Sequence, residues 1–313
     1  MPTYLVTGGA GFIGSHVVQT LLARGQSVRI ADDFSSGLRE NVPSALTGDL
    51  VEGDLSDPAV AAHAVAGCKY VIHLAAIPSV PRSVKDPVRS HRANVEGTLN
   101  MLIAARDAHV KRLVFAGSSS AYGDTPTLPK HEGMPSNPLS PYALQKVIGE
   151  QYCQMFTRLY GLETVTTRYF NVFGPRQQPG SPYSGVISLF IEAVVEGRVP
   201  TIYGDGSQTR DFTFVSDVVD GILSACEAPN VAGEIVNVAA GRRVSLLELL
   251  ETLQEITGRR VTPAFAESRT GDVRDSQADI TKAQRLLGFK VQVPFRDGLE
   301  QTVEWFRARP QRG

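Results

Sequence analysis

Through the first half of the chain, short runs that are apolar at nearly every position alternate with longer stretches in which apolar residues recur every three or four positions. TYLVTG, SVRIAD, LVEGD, KYVIHLAA and KRLVFAGS read as strands, and FIGSHVVQTLLARG reads as a helix between the first two. Strands such as YVIHL and RLVF lack the polar alternation of a half-exposed sheet, as strands covered by helices on both faces do. The rhythm therefore predicts an α/β fold on a doubly wound parallel sheet. Longer helical patterns cover PVRSHRANVEGTLNMLIAARDA and the segment from Pro141 to about Tyr160.

After about Arg168 the pattern changes. GPRQQPGSPYSG is a connection rich in Pro, Gly and Ser, and the elements beyond it are shorter and mixed. The division expected is a first domain over 1–168 and a smaller mixed α/β lobe over 169–313. Within the lobe, 212–240 carries strand-like and helix-like runs expected to pack back on the first sheet.

Composition narrows the choices mainly by exclusion. In 313 residues, Lys plus Arg number 31 and Asp plus Glu 32, a formal charge of 31 − 32 = −1. That balance offers no electrostatic footprint for nucleic acid or an anionic membrane, so neither is expected as a partner. Three cysteines, Cys68, Cys153 and Cys226, stand far apart with no CxxC, which suggests neither a disulfide framework nor a metal site. No basic segment precedes the first apolar run, and no apolar run reaches about eighteen residues, so a soluble, cytoplasmic protein is expected.

Candidate chemistry begins at TGGAGFIGSH, which follows one predicted strand and opens a helix. Gly8, Gly11 and Gly14 are placed where a backbone turns tightly and approaches a pyrophosphate, whose charge then meets the helix N-terminus, as in a Rossmann dinucleotide site. The strand SVRIAD ends in Asp32, where a carboxylate accepts both adenosine ribose hydroxyls and repels a 2′-phosphate, favouring NAD over NADP. Asp54, ending VEGD, is a second candidate contact, toward adenine, and is as readily a turn or helix cap.

In SPYALQKVIGE, Tyr142 and Lys146 are four residues apart and share one helix face. Bringing a phenol from about 10 to near neutrality takes roughly 4 kcal/mol, and one positive charge at about 6 Å supplies roughly 3 kcal/mol at an effective dielectric of about 20. The lysine is thus expected to make the tyrosine a proton acceptor. Ser118, Ser119 and Ser120 end a strand at the carboxyl edge of the sheet, where a hydroxyl relays a proton between substrate and Tyr142. His73 and His16 are expected to be packed, hydrogen-bonded residues.

From TGGAGFIG through DDFSSG, GDL, HLAA, NVEGT, SSSAYG, YALQK, RYFNVFGP and GDGSQTRDF to GDVRDSQAD, the chain resembles the extended short-chain dehydrogenase/reductases, and among them the UDP-galactose and UDP-N-acetylglucosamine 4-epimerase branch. The resemblance implies a catalytic group of Ser118, Tyr142 and Lys146, with NAD bound throughout turnover. It implies cofactor contacts from Gly8, Gly11, Phe12, Ile13, Gly14, Asp32, Asp54, Leu55, Leu74, Ala75, Ala76, Asn94 and Tyr169 besides Tyr142 and Lys146. For a UDP-sugar it implies Ser118, Ser119, Ser120, Asn171, Val186, Arg210, Arg269, Asp272 and Ser276. Pro78 departs from a lysine carried by some epimerases, which implies a different branch and leaves the proton-transfer group complete.

Dehydrating members of the family resemble one another in an Asp-Glu pair after the residue matching Ser118, and decarboxylating members in a Glu two residues after it. Here stand Ser119 and Ser120, which favours return of the hydride to the other face of a 4-keto sugar, that is, C4 epimerisation. Ser276 stands where epimerases restricted to UDP-glucose and UDP-galactose place a tyrosine, and the smaller side chain is expected to admit an N-acetyl group. A decarboxylase or dehydratase, a dehydrogenase that releases NADH, and a non-catalytic NAD-binding scaffold are the alternatives. The helices over 87–108 and 141–160 match those that pair across a twofold axis in the family, so a homodimer is expected.

Overall fold

The computed structural model describes residues 2–178, 185–267 and 273–309. Six strands of the first half are β1 (Tyr4–Thr7), β2 (Val28–Asp32), β3 (Leu50–Glu52), β4 (Tyr70–His73), β5 (Arg112–Ser118) and β6 (Glu163–Tyr169). A seventh strand, Ile235–Val238, pairs with β6, and the sheet runs in the order 235–238, β6, β5, β4, β1, β2, β3, every pair parallel. The helices between them are α1 (Phe12–Ala23), α2 (Pro58–Val65), α3 (Val80–Lys85), α4 (Pro87–His91), α5 (Gly97–Asp107) and α6 (Pro141–Tyr160).

Alternate residues of each strand enter opposite cores. Tyr4, Val6, Ile30, Ile72 and Val114 pack with Val17, Val18 and Leu21 of α1 and with the helix Val215–Glu227. Leu5, Ala31, Val71, Leu113 and Phe115 pack instead with α2, α5 and α6. Both faces of β1, β2, β4 and β5 being apolar, these strands carry no polar alternation, and the doubly wound Rossmann sheet follows.

The chain leaves the sheet after β6, returns for Val215–Glu227 and Ile235–Val238, and leaves again. Outside the sheet, a third core of Phe173, Phe190, Phe212, Phe214, Leu249 and Phe295 joins the helices Val186–Glu196, Leu246–Thr257 and Phe295–Ala308. The remaining strands are two or three residues long and pair two by two. No helix among the described residues is long and apolar enough to cross a membrane.

The pattern read as one helix over 87–108 proves to be helical with a fault in it. Between α4 and α5, Arg92–Glu96 forms a π turn. One residue wider than an α turn, it rotates Asn94 inward, where its amide bonds the Ile77 backbone N–H (2.7 Å) and Gln145 Oε1 (2.8 Å). Apolar spacing cannot register such a turn, because the helix continues on both sides.

Candidate active site

Strand order reverses beside β1, which lies between β2 and β4, and a ligand crevice opens at such a point outside the carboxyl ends of the strands. Thr7 joins the two edges there. Its hydroxyl accepts from the N–H groups of Leu74 (3.1 Å) and Ala75 (3.2 Å) and bonds His73 Nδ1 (2.8 Å). His73 also meets the Thr98 hydroxyl at 3.1 Å; it is a buried structural residue, and burial, with the nearby Lys146 charge, lowers its pKa to about 3. His16 likewise has a structural partner, the Pro175 carbonyl, at 2.8 Å.

The crevice is lined by Gly8, Gly11, Phe12, Ile13 and Gly14 of the first turn, by Asp32, by Leu74, Ala75 and Ala76, by Tyr169, and by Tyr142 and Lys146. Pro78 lies on its wall as well. The turn is as tight as its glycines require, since a Cβ on Gly14 would lie 2.1 Å from the Gly8 carbonyl oxygen. Asp32 Oδ2 accepts from Ala10 N and Oδ1 from Phe34 N, both at 2.9 Å, so the carboxylate also staples the loop that frames the crevice. Burial pushes this carboxyl up from its usual value against those two bonds.

Asp54 and Leu55 line an adjoining recess with Asp32, Ala75 and Ala76. Asp54 Oδ1 also accepts from Ser56 N at 2.8 Å, the turn role weighed for it above. Asn94 is not among the residues lining the crevice; it bonds the backbone of Ile77, which lines the adjoining recess. A glycine cradle at a helix N-terminus, a carboxylate at the end of β2 and a recess beside it with both apolar and carboxylate walls fit an NAD molecule.

Tyr142 and Lys146 sit in the first turns of α6. Ser140 caps this helix by accepting from Ala143 N (3.2 Å), and Pro141 is its first residue. Lys146 is buried and Tyr142 half-buried, and both line the crevice, each meeting a different residue at the end of β5. Lys146 Nζ donates to the Ala116 carbonyl at 2.9 Å, and burial lowers its pKa to about 8. Tyr142 is raised above its ordinary value by burial, with a hydrogen bond from the side of Ser118 working in the other direction. The downward pull expected from the lysine is therefore not what the protein's own groups exert, because the ammonium is directed at β5. Ser118 Oγ in turn accepts from Ser120 Oγ (2.8 Å) and Ser120 N (3.2 Å), giving a line of hydroxyls from Tyr142 to Ser120.

A second cavity, of roughly 200 Å³, opens beyond that line. Ser119, Ser120, Asn171, Arg210 and Ser276 line it, as does Lys130. Asn171, with φ at 28°, directs its amide to the Asp211 carbonyl (3.2 Å) and to Ser276 Oγ (3.3 Å). Arg210 is aimed by the carbonyls of Thr209 (2.9 Å) and Arg274 (2.8 Å). It also borders a further cavity with Val186, Phe190, Thr201, Tyr203 and Gln208.

Of these, Phe190, Thr201, Tyr203 and Gln208 were not expected as site residues, nor was Lys130. The YGDGSQ turn was the available signal, since its two glycines adopt positive φ and carry the chain past the cavity. Arg269 and Asp272 lie outside the described residues.

Residues 4–239 match the model of the NAD dependent epimerase/dehydratase family. The chain is 43% identical over 312 residues to a UDP-glucose 4-epimerase of Mycolicibacterium smegmatis, covering 98% of this chain and 99% of that protein. It superposes with a TM-score of 0.93 and 38% identity on a UDP-N-acetylglucosamine 4-epimerase from Methanobrevibacter ruminantium, covering 98% of each chain. A UDP-glucose 4-epimerase from Thermotoga maritima, solved with UDP-glucose, superposes at 0.92 with 38% identity, covering 97% of this chain and 98% of that one. The protein belongs to the NAD dependent epimerase/dehydratase family, a member of the extended short-chain dehydrogenase/reductases.

Proposed function

We propose that this protein inverts C4 of UDP-hexoses through a transient 4-keto sugar, accepting UDP-N-acetylglucosamine and UDP-N-acetylgalactosamine as well as UDP-glucose and UDP-galactose. The observation that carries the reading is the hydroxyl line from Tyr142 to Ser120 facing a cavity that no described carboxylate lines. Dehydration or decarboxylation calls for a carboxylic acid or base beside C5; epimerisation calls only for a proton acceptor at O4 and room for the ketone to turn.

NAD supplies reversible two-electron oxidation of the carbinol when bound. Tyr142 takes the O4 proton, Ser118 passes it, and Lys146 holds a positive charge within the cofactor crevice. Ser119, Ser120 and Asn171 position the sugar. Arg210, bordering both outer cavities, meets the diphosphate with a forked guanidinium, and the cavity of Val186, Phe190, Tyr203 and Gln208 takes the nucleoside. Ser276 leaves space for the C2 substituent, which supports the N-acetylated substrates.

A homodimer through α5 and α6 belongs to the same reading. Ile103 on α5 and Leu144, Met155, Leu159 and Tyr160 on α6 are large apolar residues left exposed on one pair of helices. A monomer by light scattering would overturn it. The buried thiols of Cys68, Cys153 and Cys226 support a cytoplasmic setting.

The test is to incubate the purified protein, without added NAD, separately with UDP-N-acetylglucosamine and UDP-glucose, and to follow the anomeric protons by NMR. Conversion of both is expected. Conversion of UDP-glucose alone rejects the role of Ser276, and no reaction even with NAD added rejects epimerisation.

A further inference from the structure

Tyr142, Lys146, Glu150 and Cys153 follow one another at helical spacing along the sheet-facing stripe of α6, and all but Tyr142 are below a tenth exposed. Glu150 has no place in the reaction described so far. Arg168 of β6 grips it with two parallel bonds, Nη2 to Oε2 at 2.6 Å and Nε to Oε1 at 2.9 Å, the fork geometry of an ionised pair. The two side chains are 2% and 3% exposed, deeper than any other ion pair among the described residues.

The packing around this pair is close. A Cβ on Gly117 would lie 2.9 Å from Glu150 Oε1, and one on Gly149 would lie 2.4 Å from the Phe115 ring. Two missing side chains thus let α6 settle onto β5, with Glu150 beneath Gly117 and the Lys146 ammonium on the carbonyl of the preceding residue, Ala116. Arg168 continues the chain outward, its guanidinium 4.6 Å over the Tyr122 ring, whose hydroxyl donates to Asn237 Oδ1 at 2.7 Å. Tyr122 ends the short turn that carries Ser119 and Ser120.

We propose that Glu150, held by Arg168, is a positioning residue for the reaction: from one helical turn behind Lys146 it keeps the ammonium charged, while the Ala116 carbonyl holds that ammonium at the cofactor crevice. Lys146 needs such a partner. It lies 4.9 Å from the face of Phe115, and the groups around it from the packed elements are neutral His73 on β4, Tyr142 and Cys153 on α6, and Arg168 on β6, whose charge Glu150 takes up. Glu150 supplies the main force that opposes loss of the lysine proton, and burial the force that favours it.

The inference rests on the role given to Lys146 above, and the test separates the two. Glu150→Gln keeps the shape and removes the charge. In the NAD-containing enzyme, the alkaline fall in kcat, near pH 8 if Lys146 sets it, is expected to move to about pH 7 or below. KM for the UDP-sugar and retained NAD should stay within about twofold, and Glu150→Asp should restore the wild-type limb in part. Because breaking one half of a buried pair can unfold a protein, Glu150→Met with Arg168→Met is made alongside, and its limb should move in the same direction by less, since no unpaired guanidinium is left behind.

A second readout needs no turnover. The Lys146 Nζ is titrated by ¹⁵N NMR, its signal assigned by its loss in Lys146→Met, and its midpoint should fall in both variants. An unmoved Lys146 titration, or a lowered melting temperature with an unchanged pH profile, overturns the proposal. A wild type that converts no UDP-sugar while its Lys146 titration still moves with Glu150 supports the coupling and rejects the activity.

Discussion

The cofactor side and the sugar side of this site are built by different means. Around the glycine turn, parallel strands of the main sheet end together, and their backbone shapes the crevice. Around Ser276, the elements are two-residue strands and loops held by side chains that bond distant backbone. Asp211 shows this most fully. Its buried carboxylate accepts from Ala240 N (3.0 Å), Gly241 N (3.0 Å) and Ala278 N (2.9 Å), joining three stretches of chain beside Arg210 and Ser276. The lesson is that the first half depends on tight backbone approach, and the second on a few polar side chains whose loss is local.

Chemistry at the junction should show the largest effect. Tyr142→Phe should lower kcat by about 1,000-fold, measured by the anomeric NMR assay, with NAD retention unchanged, since it removes the proposed proton acceptor and leaves the crevice. Loss of NAD instead would mean that the phenol serves binding first.

The comparison itself is tested by one change on each side. Gly14→Ala forces a Cβ onto the Gly8 carbonyl and should cost about 3 kcal/mol or more in urea unfolding, with loss of bound NAD. Asp211→Asn sets an amide NH2 where a carboxylate oxygen accepts from backbone N–H groups; it should cost about 1–3 kcal/mol, raise KM for the UDP-sugar several-fold and leave NAD in place. If Asp211→Asn also sheds NAD, the two halves are one cooperative unit and the contrast fails.

Selectivity should respond next. Ser276→Tyr should reduce the kcat/KM ratio of UDP-N-acetylglucosamine to UDP-glucose by roughly 100-fold, because the ring fills the space proposed for the C2 substituent. An unchanged ratio would move specificity to another residue.

An effect that appears only in acid should lie with His73, at the seam of the sheet. Its folded-state pKa, about 3, lies below its unfolded value of 6.5, so the unfolded chain takes the proton first. Stability is therefore full above pH 6.5 and falls as pH drops, by about 2–3 kcal/mol between 6.5 and about 4.5. His73→Gln should flatten that slope in urea titrations.

Much of the first half is legible along the chain, because its signals are local. The apolar runs that became β1, β2, β4 and β5, the glycine turn, and the four-residue spacing of Tyr142 and Lys146 each lie within a dozen or so residues. The direction of the Lys146 side chain is not legible in that way. Helix periodicity places it beside Tyr142, yet the Ala116 carbonyl, thirty residues earlier, draws it onto β5. Glu150 reads as an ordinary charged residue of an amphipathic helix until Arg168 is seen beneath it.

The sequence by itself determined the alternation of strand and helix, the family of its motifs, and which residues carry reactive groups, since period, turn chemistry and side-chain type are properties of short stretches. Only the tertiary structure decided which way Lys146 points, that Asn94 sits in a π turn and bonds the Ile77 backbone, that Phe190, Tyr203 and Gln208 share a cavity with Arg210, and that Glu150 is buried. Those outcomes depend on burial and on hydrogen bonds between residues far apart in sequence, and their strength is set by the surroundings that folding creates.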